Sequence, residues 1–185
     1  FDHHTDMHVS SPPQLISCGS WVALAIARLP LLQKVIIIGS RPEPESFVHP
    51  RLRAKTAVFP NHLTYQSAFK PLISQILAAI PTDDVYISID KDVLDNKQAV
   101  TDWDQGDMRL DQLLDILQTI LVSKQVHGID ICGELPASPL ERLQPDYLNA
   151  VRKNETANSR ILAALRRFNK MDRFPYGKKT SPGKA

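Results

Sequence analysis

Lys34-Val35-Ile36-Ile37-Ile38-Gly39 is a β-branched apolar run with no polar alternation. A strand with one face in water alternates apolar and polar residues, so this run fits a strand covered on both faces, as in a parallel sheet layered between helices. Asp84-Val85-Tyr86-Ile87-Ser88-Ile89-Asp90 and Val126 to Cys132 read as two more strands, and Lys55-Thr56-Ala57-Val58-Phe59 as a short one before Pro60. Helical patterns separate them. Ser17 to Leu32 is apolar nearly all round, with Gly19 and Ser20 at its entry, and Thr64 to Ile80 is helical but interrupted by Pro71. Asp107 is placed to cap a helix running to about Ser123, which buries Leu110, Leu113, Leu114, Ile116, Leu117, Ile120 and Leu121. A last helix is expected from about Asn154 to Phe168, and the proline-rich stretch from Arg41 to Pro50 reads as a loop. Strands alternating with helices predict an α/β fold, a three-layer α/β/α architecture with a mostly parallel sheet. Ligands in such folds collect at the carboxyl ends of the strands.

The 185 residues can bury one good core, so residues 1–168 are expected to form a single domain and residues 169–185 a basic, solvated tail. A net charge of +2 gives no electrostatic footprint for nucleic acid. No apolar run reaches membrane-spanning length, so no membrane partner is expected. Cys18 and Cys132 have no zinc-binding spacing, neither has an obvious partner base, and nothing resembles a secretory signal. They read as buried small hydrophobes in a cytoplasmic protein. The sequence lacks an initiating Met and starts inside a ligand-like cluster, which predicts a segment upstream of Phe1.

Two acidic clusters carry the chemistry. The chain opens Phe1-Asp2-His3-His4-Thr5-Asp6-Met7-His8, and the strand ending near residue 90 runs into Ser88-Ile89-Asp90-Lys91-Asp92-Val93-Leu94-Asp95. Side chains two apart on an extended segment share a face, so Asp2, His4 and Asp6 can converge, as can Asp90 and Asp92. Four carboxylates and one imidazole form a hard ligand set whose charge balances two divalent ions. Such a set suits Mn²⁺ or Mg²⁺ and leaves Zn²⁺ and Fe²⁺ open. His3 and Lys91 should point away from their cluster neighbours, Asp95 reads equally as a supporting or a turn residue, and His49, His62 and His127 as incidental.

Asp-x-His-x-Asp at one strand end, with Ser-x-Asp-x-Asp-x-x-Asp at a later one, resembles the arginase/ureohydrolase superfamily of dinuclear manganese hydrolases, over roughly residues 1 to 135. The resemblance implies an arginase/deacetylase-like fold in which Asp2 and Asp90 bridge two Mn²⁺ ions, Asp6 completes one metal's shell, and His4 and Asp92 bind the other. The family's remaining histidine ligand has no counterpart in residues 1–185, which fits a missing upstream segment. Other positions depart from the pattern. Ile38-Gly39-Ser40-Arg41-Pro42 has proline where arginases carry an acid, so arginine itself is not favoured as substrate. Ser17-Cys18-Gly19-Ser20-Trp21 stands where a proton-carrying histidine is expected, and Asn96 replaces a proline. Asp130-Ile131-Cys132-Gly133-Glu134 places one residue late the glutamate that would grip a guanidinium, so Glu134 is the substrate-contact candidate.

The expected activity is hydrolysis of a non-peptide C–N bond in a guanidino, amidino or formimino small molecule, by hydroxide generated between two metals, with Asp6 passing the proton to the leaving amine. The rivals are a zinc-dependent, deacetylase-like amide hydrolase and a non-catalytic metal-binding domain of the same fold. The loop Trp103-Asp104-Gln105-Gly106 reads equally as a pocket wall or a plain loop. Homo-oligomers are common in the family the chain resembles.

Overall fold

A computed structural model of the chain describes residues 1–8, 16–42, 50–63 and 69–169. The basic tail from residue 170, His49 and most of the proline-rich loop lie outside the described residues.

Among the described residues the strands are β1 (Val35–Ile38), β2 (Thr56–Phe59), β3 (Asp84–Asp90) and β4 (Gln125–Cys132). β1 pairs with β2 and β3 with β4, both parallel, with Val35 opposite Thr56 and Asp90 opposite Cys132. The first two residues connect the pairs. Phe1 N donates to Ser88 O at 2.8 Å, Asp90 N donates to Phe1 O at 2.9 Å, and Asp2 N donates to Ile38 O at 3.1 Å. The amino-terminal segment therefore threads between β1 and β3, and it brings Asp2 to the carboxyl ends of both.

The α-helices among the described residues are α1 (Trp21–Arg28), α2 (Pro50–Arg53), α3 (Phe69–Ala79), α4 (Leu110–Ser123) and α5 (Pro145–Asn169). The non-alternating run in β1 is explained by what it touches. Val35 and Ile37 pack with Val22, Ala23 and Ile26 of α1 and with Met7, whereas Ile36 and Ile38 face the larger cluster built from α3, α4, α5, β3 and β4. Successive residues of a strand point to opposite faces, so two separate cores either side of β1 require apolar residues at every position. α4 supplies the densest wall, with Leu110, Leu113, Ile116, Leu117, Ile120 and Leu121 all buried. Each contributes roughly 1.5–3 kcal/mol by leaving water.

Several element boundaries differ from the sequence expectation, each for a local reason. α1 is shorter at both ends, and Leu29 is already extended because Pro30 follows it. Pro71 does not interrupt the helix within Phe69–Ala79, and residues 64–68 of the expected helix lie outside the described residues. Asp107 does not cap α4. Its carboxylate accepts from Asn61, while Arg109 N donates to Gln112 Oε1 at 3.0 Å and Leu110 N to Gln98 Oε1 at 2.5 Å. α5 begins at Pro145, nine residues before the expected start, because its buried face is drawn by Ala150, Asn154, Ala157 and Ile161. Two alanines and an asparagine make a faint apolar stripe in sequence. Pro145 suits a first helical position.

Candidate metal centre

Both acidic clusters reach the carboxyl edge of the strands, though not by extended alternation. Residues 1–8 form no regular strand; they bend at His3-His4, and Asp6 takes a left-handed backbone with φ 51°. β3 stops at Asp90, and Lys91–Val93 form a 3₁₀ turn, so Asp90 and Asp92 do not share a strand face. Asp90 Oδ1 instead accepts from Asp92 N at 2.9 Å and caps that turn.

The turn and the amino-terminal segment are laced together. Asp92 Oδ1 accepts from His3 N at 3.0 Å, and Asp92 Oδ2 meets His4 Nδ1 at 2.8 Å. Asp2 Oδ1 accepts from His4 N at 2.7 Å. Asp2, His4 and Asp92 each present one ligand atom, all within 4.8 Å of one another. Of the five expected ligands the structure thus gathers three in one tight group. Asp90 stands beside them as the turn cap, and Asp6, outside the tight group, accepts from Trp21 Nε1 at its Oδ2 at 2.6 Å.

The electrostatics show a site with an excess of negative charge. Burial pushes the Asp2 carboxyl up to about 8, with Asp6 and Asp92 adding to the effect. Burial also pushes Asp6 up to about 6 against the opposing Trp21 hydrogen bond, and raises Asp92 despite the His3 backbone N–H. Burying carboxylates without cations is unfavourable, and these groups respond by holding protons. Divalent cations are the natural counter-charge for such a donor set, so the residues fit metal ions.

The neighbouring residues fall into place around this group. His3 is buried, its ring edge-on to His4 with centroids 5.3 Å apart, and burial followed by the His4 charge lowers its pKa. Trp103 meets His4 edge-on at 6.2 Å, so its loop does border the site. Asp95 accepts from Lys97 N at 2.8 Å and is a turn residue. His127 pairs with Asp84 at the opposite end of β3.

The cysteines correct an expectation: both are exposed. Cys132 Sγ lies 3.3 Å from Asp90 Oδ2, and desolvation of the sulfur together with that carboxylate pushes the thiol up to about 12, which makes it a poor nucleophile.

Glu134 is held by donors of this chain while its side chain stays 59% exposed. Its Oε1 accepts from the ammonium of Lys91 and from Asn158 Nδ2, and its Oε2 accepts from Asn154 Nδ2 at 3.1 Å. Lys91, read from sequence only as pointing away, is completely buried. Trp21 and Lys91 are the residues that sequence reasoning undervalued. Trp21 was grouped with an apolar helix, yet it is 38% exposed and placed at the first position of α1, a hint that its indole N–H serves a partner.

Comparisons with known proteins bear on the family and the fold. An Arginase family model matches residues 1–139. An uncharacterised protein of Thermotoga maritima is 33% identical over 165 residues, covering 89% of this chain and 55% of that protein. Among solved structures, the agmatine ureohydrolase of Thermoplasma volcanium superposes with a TM-score of 0.63 at 18% identity, over 92% of this chain and 55% of that one. A hypothetical agmatinase from Burkholderia thailandensis gives 0.61 at 16%, over 90% and 50%, and the proclavaminate amidino hydrolase of Streptomyces clavuligerus 0.59 at 18%, over 84% and 52%. The chain spans about half the length of these relatives. With a family model matched across three quarters of its residues and the α/β fold shared with ureohydrolase structures, the chain belongs to the arginase family.

Proposed function

We propose that the protein hydrolyses a non-peptide C–N bond at a trigonal carbon, in a guanidino, amidino or formimino compound, using a dinuclear metal centre held by Asp2, His4, Asp6, Asp90 and Asp92. The observation that carries this reading is the convergence of Asp2, His4 and Asp92 within 4.8 Å, with the Asp2 carboxyl pushed up by burial and by the neighbouring Asp6 and Asp92. Family membership supports Mn²⁺ as the ion. Two such cations supply Lewis acidity that makes a water a competent nucleophile near neutral pH.

The chain's own residues prepare the rest. The His3 N–H and the His4 imidazole hold the Asp92 carboxylate in place from both oxygens, and the His4 N–H does the same for Asp2. Asp90, by capping the 3₁₀ turn, ties the ligand residues to the end of β3. Trp21 engages Asp6 Oδ2 and leaves Oδ1 to take the proton of the attacking water and deliver it to the departing amine. Trp103 beside His4 gives a wall against which a small substrate can be desolvated.

A small-molecule substrate, a cytoplasmic setting and assembly into homo-oligomers complete the proposal; among the described residues no helix is long and apolar enough to cross a membrane. The test is Asp90→Ala in the Mn²⁺-loaded protein. Metal content and release of urea or ammonia from a panel of guanidino compounds should fall together. Full metal stoichiometry in this variant would sink the assignment.

A further inference from the structure

α4 and α5 share one core through Leu110, Leu113, Ala157 and Ile161, and beside the start of α4 lies a cavity of about 570 Å³. That volume is in the range of small-molecule sites. Its wall carries Lys97 and Arg109 from the segment before α4, Arg152, Lys153 and Arg160 from α5, and one acid, Asp111. Five cations against one carboxylate give the wall a formal net charge of +4, twice that of the whole chain. The remainder of the chain is then formally negative. The patch is also bounded, because the adjoining groove between the same helices adds Asp115 and Arg167 to Asp111 and Arg160, and its charges cancel.

Little within the chain uses these cations. Among the described residues, the side chains of Lys97, Arg152 and Arg160 make no hydrogen bond or ion pair. Arg109 Nε donates to Asp111 Oδ1 at 3.1 Å, but both side chains are more than half exposed, so water screens the pair and it is weak. Lys153 Nζ donates to Asn96 O at 2.9 Å, a neutral acceptor that leaves its charge uncompensated. The first amides of α4 are already taken, Arg109 N by Gln112 Oε1 and Leu110 N by Gln98 Oε1, so attraction for an anion comes from the side chains and not from the helix start. Arg152, Thr156 and Arg160 recur every four residues and line one stripe of α5. Asn154, bonded to both backbone groups of Val100, and Lys153, bonded to Asn96 O, hold α5 against the segment that carries Lys97. The cations are therefore gathered before any ligand arrives, which lowers the cost of binding one.

We propose that this cavity binds a small polyanion carrying several phosphate charges, at a site that shares no residue with the Asp2–His4–Asp92 group. Cations held together without acids repel one another, and an anion entering between them relieves that repulsion. Arginine forks match the paired oxygens of a phosphate, and the lysines add point charge. A monoanion would leave most of the charge on the wall unanswered, so an oligophosphate suits it better than a single carboxylate. A nucleic acid suits it less, because the positive charge is confined to one concave wall of a chain whose remainder is formally negative.

The test is calorimetric titration of the protein with inorganic triphosphate at neutral pH and about 0.15 M salt, where loose surface attraction is screened. Divalent ions are left out because triphosphate chelates them. A micromolar dissociation constant is expected, with inorganic phosphate bound about tenfold more weakly or worse. Arg152→Ala and Arg160→Ala each remove one exposed cation and should weaken triphosphate binding by about tenfold, the scale of one charge-assisted hydrogen bond. Their thermal midpoints without triphosphate should stay at the wild-type value. Lys178→Ala/Lys179→Ala, in the basic tail, should bind as the wild type does. Absence of triphosphate binding by the wild type overturns the proposal. So does binding that is undiminished in Arg152→Ala/Arg160→Ala, or that is lost in the tail variant. A single-stranded RNA that binds more tightly than triphosphate and is lost in the same arginine variants would make the cavity part of a nucleic-acid surface, which also overturns it.

Discussion

Trp21 Nε1 donates to Asp6 Oδ2 at 2.6 Å, joining the first residue of α1 to the last acid of the amino-terminal cluster. This hydrogen bond is one of the influences that hold the Asp6 pKa down against burial. Trp21→Phe keeps the ring and removes the N–H. The Asp6 carboxyl should then titrate above about 6 in the metal-free protein, as read by carboxyl-carbon NMR. A titration point that stays in place would show that the indole does not tune Asp6.

The raised carboxyls set how stability follows pH. Asp2 sits at about 8 and Asp6 at about 6, both above the ordinary value near 3.8. A group whose folded pKa is raised adds stability that is fully present below its unfolded pKa and is lost as pH rises through the folded one. The metal-free chain should therefore lose stability from about pH 4 to about pH 8 through these two groups. Mn²⁺ competes with the same protons, so its stabilising effect should grow over that window. Thermal unfolding with and without Mn²⁺ at about pH 5.5 and about pH 8 checks this, and an equal or smaller Mn²⁺ effect at the higher pH rejects it.

Asp92 meets the His3 N–H and the His4 ring with its two oxygens. Asp92→Ala should leave the His3 amide without its acceptor and destabilise the metal-free fold by about 1–3 kcal/mol. It should also lower Mn²⁺ content. Denaturant unfolding gives the first quantity and elemental analysis the second. Wild-type values for both would remove Asp92 from the centre.

Gly133 has φ 79° and no room for a Cβ beside Asp90 and Lys91. Gly133→Ala should cost about 1–3 kcal/mol of stability from backbone strain and displacement of the Asp90 carboxylate. Gly19, which has no positive φ and whose Cβ would meet His8 only at 3.8 Å, provides the control. Gly19→Ala should be close to neutral, and an equal loss in the two variants would refute the strain argument.

Asn154 satisfies both backbone groups of Val100 and one oxygen of Glu134. Asn154→Leu fills similar volume but strands those groups, so a loss of about 1–3 kcal/mol is expected from unpaired buried polar atoms. Chemical denaturation of the two proteins measures it. A neutral result would mean that water replaces the side chain.

Much of this molecule is legible in its sequence where the signal is local. The apolar run Val35–Ile38 announces a strand covered on both faces, and the structure places Ile37 and Ile38 in two different cores. The leucine and isoleucine spacing of α4 names its buried face because a helix repeats every 3.6 residues. α5 is less legible in its first half, where Ala150 and Asn154 replace large apolar residues at the contact. The candidate ligands could be named from residue type, since Asp and His at strand ends have few other uses in such number.

What sequence determined by itself, then, is the set of elements and the chemistry of the donor atoms, because both depend on residue type and short-range periodicity. Tertiary structure alone decided how those atoms meet. The threading of Phe1-Asp2 between β1 and β3, the contact of His4 with Asp92 across 88 residues, the hold of Trp21 on Asp6 and the ion pair of Glu134 with Lys91 are long-range pairings. No period along the chain encodes a hydrogen bond between residues that become neighbours only when separate strands are brought edge to edge. The physical reason is that such pairs are selected by the burial of whole elements, with the polar contacts forming where the packed backbone leaves them within reach.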